Sequence, residues 1–221
     1  RNSATAIRPP ATGNQLRIPR AGPGKLSRPA RSNGPSPPRL PPPYNTSMSD
    51  NSLRDHPAVR AFVGAAARFC SLIESQPEDR DLWIADTLHA LAILYAAAPV
   101  VRDLGLPSGS RTIPPELRLS NDQWQTIFNH LRQILGKDAH YSSHFNPLTA
   151  YPADEQTTIG DLADDLADIY RDLKPGLAAW ELSGNAYEED ILFQWVHYGH
   201  IHHWGRHAVD AMRALHWLTY K

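Results

Sequence analysis

An all-helical bundle of about five helices, carried behind a disordered N-terminal segment, is the fold class this 221-residue sequence predicts. Three observations predict it. Apolar residues recur at three- and four-residue spacing along several long stretches, as a helix with one buried face requires. No stretch shows the period-two alternation of a convincing strand. Residues 1–47 hold eleven of the 20 prolines, eight Arg or Lys and no Asp or Glu. Such a composition buries too little apolar surface to offset its ordering entropy.

Residues 48–221 keep the other 14 basic side chains and all 23 acidic ones, a net of −9. The chain thus divides into a basic Pro/Arg-rich segment, 1–47, and a single helical-bundle domain, 48–221. A domain of about 150 residues buries roughly 70% of its unfolded surface, enough for one good core. Three readings compete for the segment: a phosphate-binding arm, an organellar transit peptide, or translated GC-rich DNA upstream of a start at Met48. The last is preferred, because Met48 is the first Met and stands just before the first helical pattern. Cys70 is alone, so no intrachain disulfide is expected, and a reducing, cytoplasmic location follows. Leu91–Val101 is short of the roughly 20 apolar residues a spanning helix needs, so no membrane partner is expected.

The first helix opens at Asp55-His56-Pro57, with Pro suited to the first turn. Its stripe is Val59, Phe62, Val63, Ala66, Phe69, Cys70 and Ile73. The second, about 78–98, turns Leu82, Leu88, Leu91, Ala92 and Tyr95 inward and stops at Pro99. Residues 105–119, rich in Pro and Gly, read as an irregular connection. Ser120-Asn121-Asp122-Gln123 is a capping box for a helix presenting Trp124, Ile127, Phe128, Leu131, Ile134 and Leu135, with Gly136 at its end. The connection 137–157 is expected to lay Tyr141, Phe145 and Pro147 on the bundle. The fourth helix, about 159–183, has the seam Ile159, Leu162, Leu166, Ile169, Leu173, Leu177 and Trp180, with a bend at Pro175-Gly176.

The fifth helix, about 188–219, continues the pattern with Phe193, His197, His200, Trp204, His207, Ala211, Ala214 and Leu218. Three positions of a seam that should be apolar are histidines. At 100° per residue His200 and His207 fall within about 40° of Phe193, Trp204 and Ala211, so both face inward; His197 and His203 flank the stripe and His202 faces away. Buried imidazoles need partners. Asp161, Asp165, Asp168 and Asp172, along one edge of the fourth helix, are the expected suppliers, with Arg206 and Asp210 extending the network.

Two chemistries fit these residues. His200, His203 and His207 with Asp165 and Asp168 form either a divalent-metal site between two helices or a hydrogen-bond network that sets how those helices cross. In the first case His203 and His207, at i and i+4, chelate one ion and Arg206 holds an anionic substrate. No His-Glu-x-x-His, paired Glu-x-x-His or cysteine pair adds weight to the metal. Asp164-Asp165-Leu166-Ala167-Asp168 matches the magnesium-diphosphate box of helical prenyl synthases, but Asp164 projects away from the seam and no second box exists. The acidic pairs of helical nucleotide pyrophosphohydrolases meet a similar objection, and a solvated acidic edge is preferred. Cys70, on an apolar stripe, reads as an inert core thiol. The acidity of 48–221 disfavours nucleic acid as a partner of the folded domain.

Gly160–Lys174, with its Leu-Ala-Asp-Asp-Leu-Ala-Asp run, followed by His203-Trp204-Gly205-Arg206-His207-Ala208-Val209-Asp210-Ala211, is similar to the bacterial family known as domain of unknown function 5063. Phe62…Phe69-Cys70…Ile73-Glu74 and Trp124…Leu131-Arg132…Leu135-Gly136 resemble it too. The resemblance spans most of 55–218 and brings no activity with it. It implies that the Asp-rich and His-rich segments belong together. The leading functional expectation is a non-catalytic interaction or accessory module with a protein partner. The alternative is a metal-dependent hydrolase of phosphate esters or anhydrides.

Overall fold

The computed structural model describes residues 53–106, 118–143, 158–182 and 188–221, which belong to one unit, Ser47–Lys221. The expectations for 1–47, for Phe145 and Pro147, and for 107–117 lie outside them.

Helix α1 (Pro57–Glu74) begins where the sequence says it must: Pro57 needs no amide partner in the first turn, and the His56 ring accepts from the Ala58 amide. Its buried face is Val59, Phe62, Ala65, Ala66, Phe69, Cys70 and Ile73. Helix α2 (Arg80–Arg102) is capped by Asp79, whose carboxylate accepts from the Asp81 and Leu82 amides. Leu82 is 66% exposed, against expectation: the cap sets the helical phase so that Trp83 and Ile84 take the inside. Pro99 does not end this helix. It stands in the last turn, and burial of Ala98 and Val101 around it holds the helix to Arg102. At 23 residues α2 is long and apolar enough, by length and composition, to cross a membrane, contrary to the shorter helix expected; here it contributes Trp83, Ile84, Leu91 and Leu94 to the core.

Helix α3 (Asn121–Leu135) has both arms of the expected capping box, and Gly136 adopts the positive φ of 57° that follows it. Arg80 closes the other end, donating to the Ile134 and Leu135 carbonyls and to Asp138. Two short strands follow, β1 (His140–Ser143) and β2 (Thr158–Asp161), paired antiparallel with Tyr141 opposite Gly160. No strand was expected there. Four residues with no alternating apolar face carry no readable period, and Ile159, assigned to the helical seam, is 77% exposed on β2.

Helix α4 (Leu162–Leu182) is the centre of the unit: it touches α1, α3 and α7 (Trp204–Thr219), and α2 packs on α1 and α7. Pro175-Gly176 lies inside it. A Cβ on Gly176 would sit 2.5 Å from the Trp195 ring, so the glycine makes room for that buried indole. The predicted fifth helix is four pieces: α5 (Glu188–Phe193), a π-helical stretch Gln194–Gly199, α6 (His200–His202), and α7. The break falls at His203, with φ −137° and ψ −92°. Gly205 permits it, because a Cβ there would lie 1.9 Å from the His200 carbonyl oxygen. Trp204 stitches the joint by donating its indole N–H to the Trp195 carbonyl at 2.8 Å.

Candidate metal centre

The cluster is built from one face of α4 and the first two turns of α7. Asp165, Asp168 and Asp172 stand at i, i+3 and i+7, so they share a face of α4. Asp165 and Asp168 are buried and Asp172 is partly so. Across from them the His203 Nδ1 lies 2.7 Å from Asp172 Oδ2, and the His207 Nδ1 lies 2.8 Å from Asp165 Oδ1. A neutral ring that donates from Nδ1 to its carboxylate presents a lone pair on Nε2. Both Nε2 atoms approach the same oxygen: Asp168 Oδ2 is 3.5 Å from that of His207 and 4.0 Å from that of His203.

Asp168 is itself held. Its other oxygen, Oδ1, accepts from Trp124 Nε1 on α3 at 2.9 Å and is ion-paired with the Arg171 guanidinium at 2.9 Å. Asp165 is held likewise, since the Tyr141 hydroxyl of β1 donates to its Oδ2. One ligand atom each from Asp168, His203 and His207 comes within 4.8 Å of the others. Ligands bound at about 2.0–2.2 Å in a tetrahedral site stand roughly 3.4 Å apart. The His207 separation of 3.5 Å matches that value, and the His203 separation of 4.0 Å is somewhat longer.

Negative charge is concentrated here. Asp164 is pushed above the usual carboxylate range by burial and by the neighbouring Asp168 and Asp165. Burial also raises Asp172, outweighing His203 and Arg171, and raises Asp210, which feels Asp165. His207 is raised by its hydrogen bond to Asp165 against the opposing effect of burial. Burial and the bond to Asp165 push the Tyr141 phenol up, so it stays a donor. A site with this surplus of carboxylate favours a cation.

Beside the cluster opens a cavity of about 450 Å³. Asp172 and His203 form part of its wall, Arg118 and Arg171 another part, and Trp195, Tyr198 and Trp204 an aromatic side.

Four of the five predicted residues meet: Asp165, Asp168, His203 and His207. His200 does not. The π-helical stretch and the break at His203 carry it to Tyr95 and Trp204, with ring centroids at 4.8 and 4.9 Å. Its two nitrogens are buried and meet no hydrogen-bond partner among the described residues. Arg206 is exposed and does not line the cavity; Arg171, one turn along α4 from Asp168, occupies the place expected of it. Asp161 pairs instead with Arg132 at 3.2 Å. Cys70 is a core thiol, pushed by burial up to about 12. Sequence reasoning did not select Tyr141 or Trp124 as supports. Their phenol and indole donors gave no periodic signal that separates a ligand-holding aromatic from a packing one.

The fold and cluster define a class: a helical protein that gathers histidine and aspartate between two packed helices. Residues 55–221 match the domain of unknown function family DUF5063, and the chain belongs to that family. No curated protein matches the chain. Among solved structures it is similar to the crystal structure of protein BF1032 from Bacteroides fragilis, a structural genomics target. The TM-score is 0.58 at 24% identity, over 76% of this chain and 99% of that one. The likeness establishes a shared fold.

Proposed function

We propose that this protein binds a divalent metal ion through His203, His207 and Asp168 and uses it to hydrolyse phosphate esters or anhydrides. One observation carries the reading. The two Nε2 atoms and Asp168 Oδ2 converge at 3.5 and 4.0 Å, beyond hydrogen-bonding distance, while every other polar atom of the three side chains is engaged. A closed scaffold network would bring these atoms into contact; a ligand set leaves room for an ion. Asp165 and Asp172 then orient the histidines, and Trp124 and Arg171 orient Asp168. An ion held by His203, His207 and Asp168 would supply Lewis acidity and lower the pKa of water. In the hydrolysis, water oxygen bonds to phosphorus, the P–O bond to the leaving group breaks, and the leaving group departs with a proton from that water.

The test is thermal unfolding with chelator and then with Zn²⁺, Mn²⁺ or Mg²⁺. An ion at about 100 times its Kd stabilises by roughly 2.7 kcal/mol, which for a domain this size raises Tm by about 5–11 °C. That rise, reversed by chelator and lost in His207→Ala, supports the site; equal ion content in wild type and variant refutes it. A non-catalytic interaction module is the reading that then remains, and the exposed Trp217 and Tyr220 late in the chain favour it.

A further inference from the structure

The cavity beside the cluster has its own chemistry, and resting on the metal reading we infer that it seats a phosphate monoester carrying a planar heterocycle, a nucleoside monophosphate being the simplest form. Arg171 is ion-paired with Asp168 Oδ1 at 2.9 Å, so its guanidinium is one carboxylate away from the point where His203, His207 and Asp168 Oδ2 converge. Arg118 lines the same cavity. The two guanidiniums thus share one space with His203 of the ligand set and with Asp172, whose carboxylate is turned to the His203 ring. A phosphate monoester carries about −1.5 to −2 charges at neutral pH, and guanidinium forks fit its oxygens.

The remaining wall is aromatic and amide-bearing. Tyr198 is 61% exposed yet lines the cavity, beside Trp195, Trp204 and Pro175. An exposed ring at a cavity mouth gives a planar group a face to stack on, and Gln194, on the same wall, offers an amide donor and acceptor to a heterocycle's edge. The volume of about 450 Å³ lies within the range of small-molecule sites. Inorganic phosphate would leave the aromatic wall unused, and an apolar ligand would leave both arginines unused.

Calorimetry on the full chain, loaded with the ion that raises its Tm, tests the seat with AMP, ribose 5-phosphate and adenosine. AMP should bind tightest, with each fragment weaker by about tenfold or more. Arg118→Gln should weaken AMP and ribose 5-phosphate but not adenosine. Tyr198→Ala should weaken AMP and adenosine but not ribose 5-phosphate. Ion affinity should stay unchanged in both, since neither residue touches the ligand set. AMP binding no tighter than ribose 5-phosphate, or unaffected by Arg118→Gln, overturns the inference while the metal reading stands. If no ion binds, the metal reading falls. AMP binding in chelator that is lost in Arg118→Gln would then still support the nucleotide seat, and its absence would overturn both.

Discussion

Two pairs of histidines, His197/His200 and His203/His207, sit within eleven residues of one another and have opposite surroundings. The second pair faces carboxylates at 2.7 and 2.8 Å. The first faces rings: His197 stacks on Phe193 at 4.8 Å, and His200 lies between Tyr95 and Trp204. His197 Nε2 and both nitrogens of His200 are buried without a hydrogen-bond partner among the described residues. Near neighbours along the segment, Phe193 and Trp204, and the helix packed across from it together decide each histidine's surroundings. Asp-rich α4 lies against one pair, while α2 presents Tyr95 to the other.

The joint between the two pairs is where the comparison breaks most severely. Gly205→Ala drives a methyl into the His200 carbonyl, 1.9 Å from the ideal Cβ. The backbone must shift, at a cost of about 3 kcal/mol or more. Tm should fall by about 6–12 °C, and the ion-induced rise should shrink with it because His203 moves. A variant as stable as the wild type would show that the break does not position His203.

Next in size is the support of the engaged pair. Asp165→Asn keeps the shape but loses the carboxylate that orients His207, so ion affinity should drop about 10–100-fold with secondary structure intact. Titration of the ion by calorimetry reads this, and unchanged affinity would remove Asp165 from the site.

The unengaged pair yields a smaller, pH-dependent effect. Burial, and secondarily the positive charge of Arg102, hold His200 below its ordinary value. Folding therefore disfavours the charged ring, and its contribution is whole above the unfolded pKa of about 6.5. It is lost as pH falls through the lower folded value. His200→Phe should flatten that acid-side decline in urea midpoints between pH 7.5 and 5, with a change within about 1 kcal/mol at neutral pH. An unaltered pH profile would mean that another group sets the acid limb. The smallest effect is expected at Arg206, exposed on α7: Arg206→Ala should change stability by no more than about 0.5 kcal/mol and leave the ion-induced shift unchanged.

Much of the architecture was legible in the residues. The stripe of α1, the capping box of α3 and the glycine at its end are local, and they were read where they stand. Asp165, Asp168, His203 and His207 were also chosen correctly as residues that meet, because their helical spacing fixes a shared face whatever the partner. The strands β1 and β2 were not legible. They are four residues each, and their pairing comes from sequence-distant contacts, with Tyr141 opposite Gly160; a Cβ on Gly160 would lie 2.3 Å from the Tyr141 ring. Arg171 stands at i+3 from Asp168 on α4, a spacing written in the sequence, whereas Arg206 is exposed on α7.

Local interactions, repeated every three or four residues, were enough for the sequence by itself to determine the helical class, the start of α1, both ends of α3 and the pairing of the Asp-rich with the His-rich segment. Tertiary structure alone decided that the last helix breaks at His203, that His200 leaves the cluster for an aromatic nest, and that Tyr141 and Trp124 hold the carboxylates. Those outcomes depend on which atoms from distant elements fill the same space, and a period along one helix carries no record of what lies opposite.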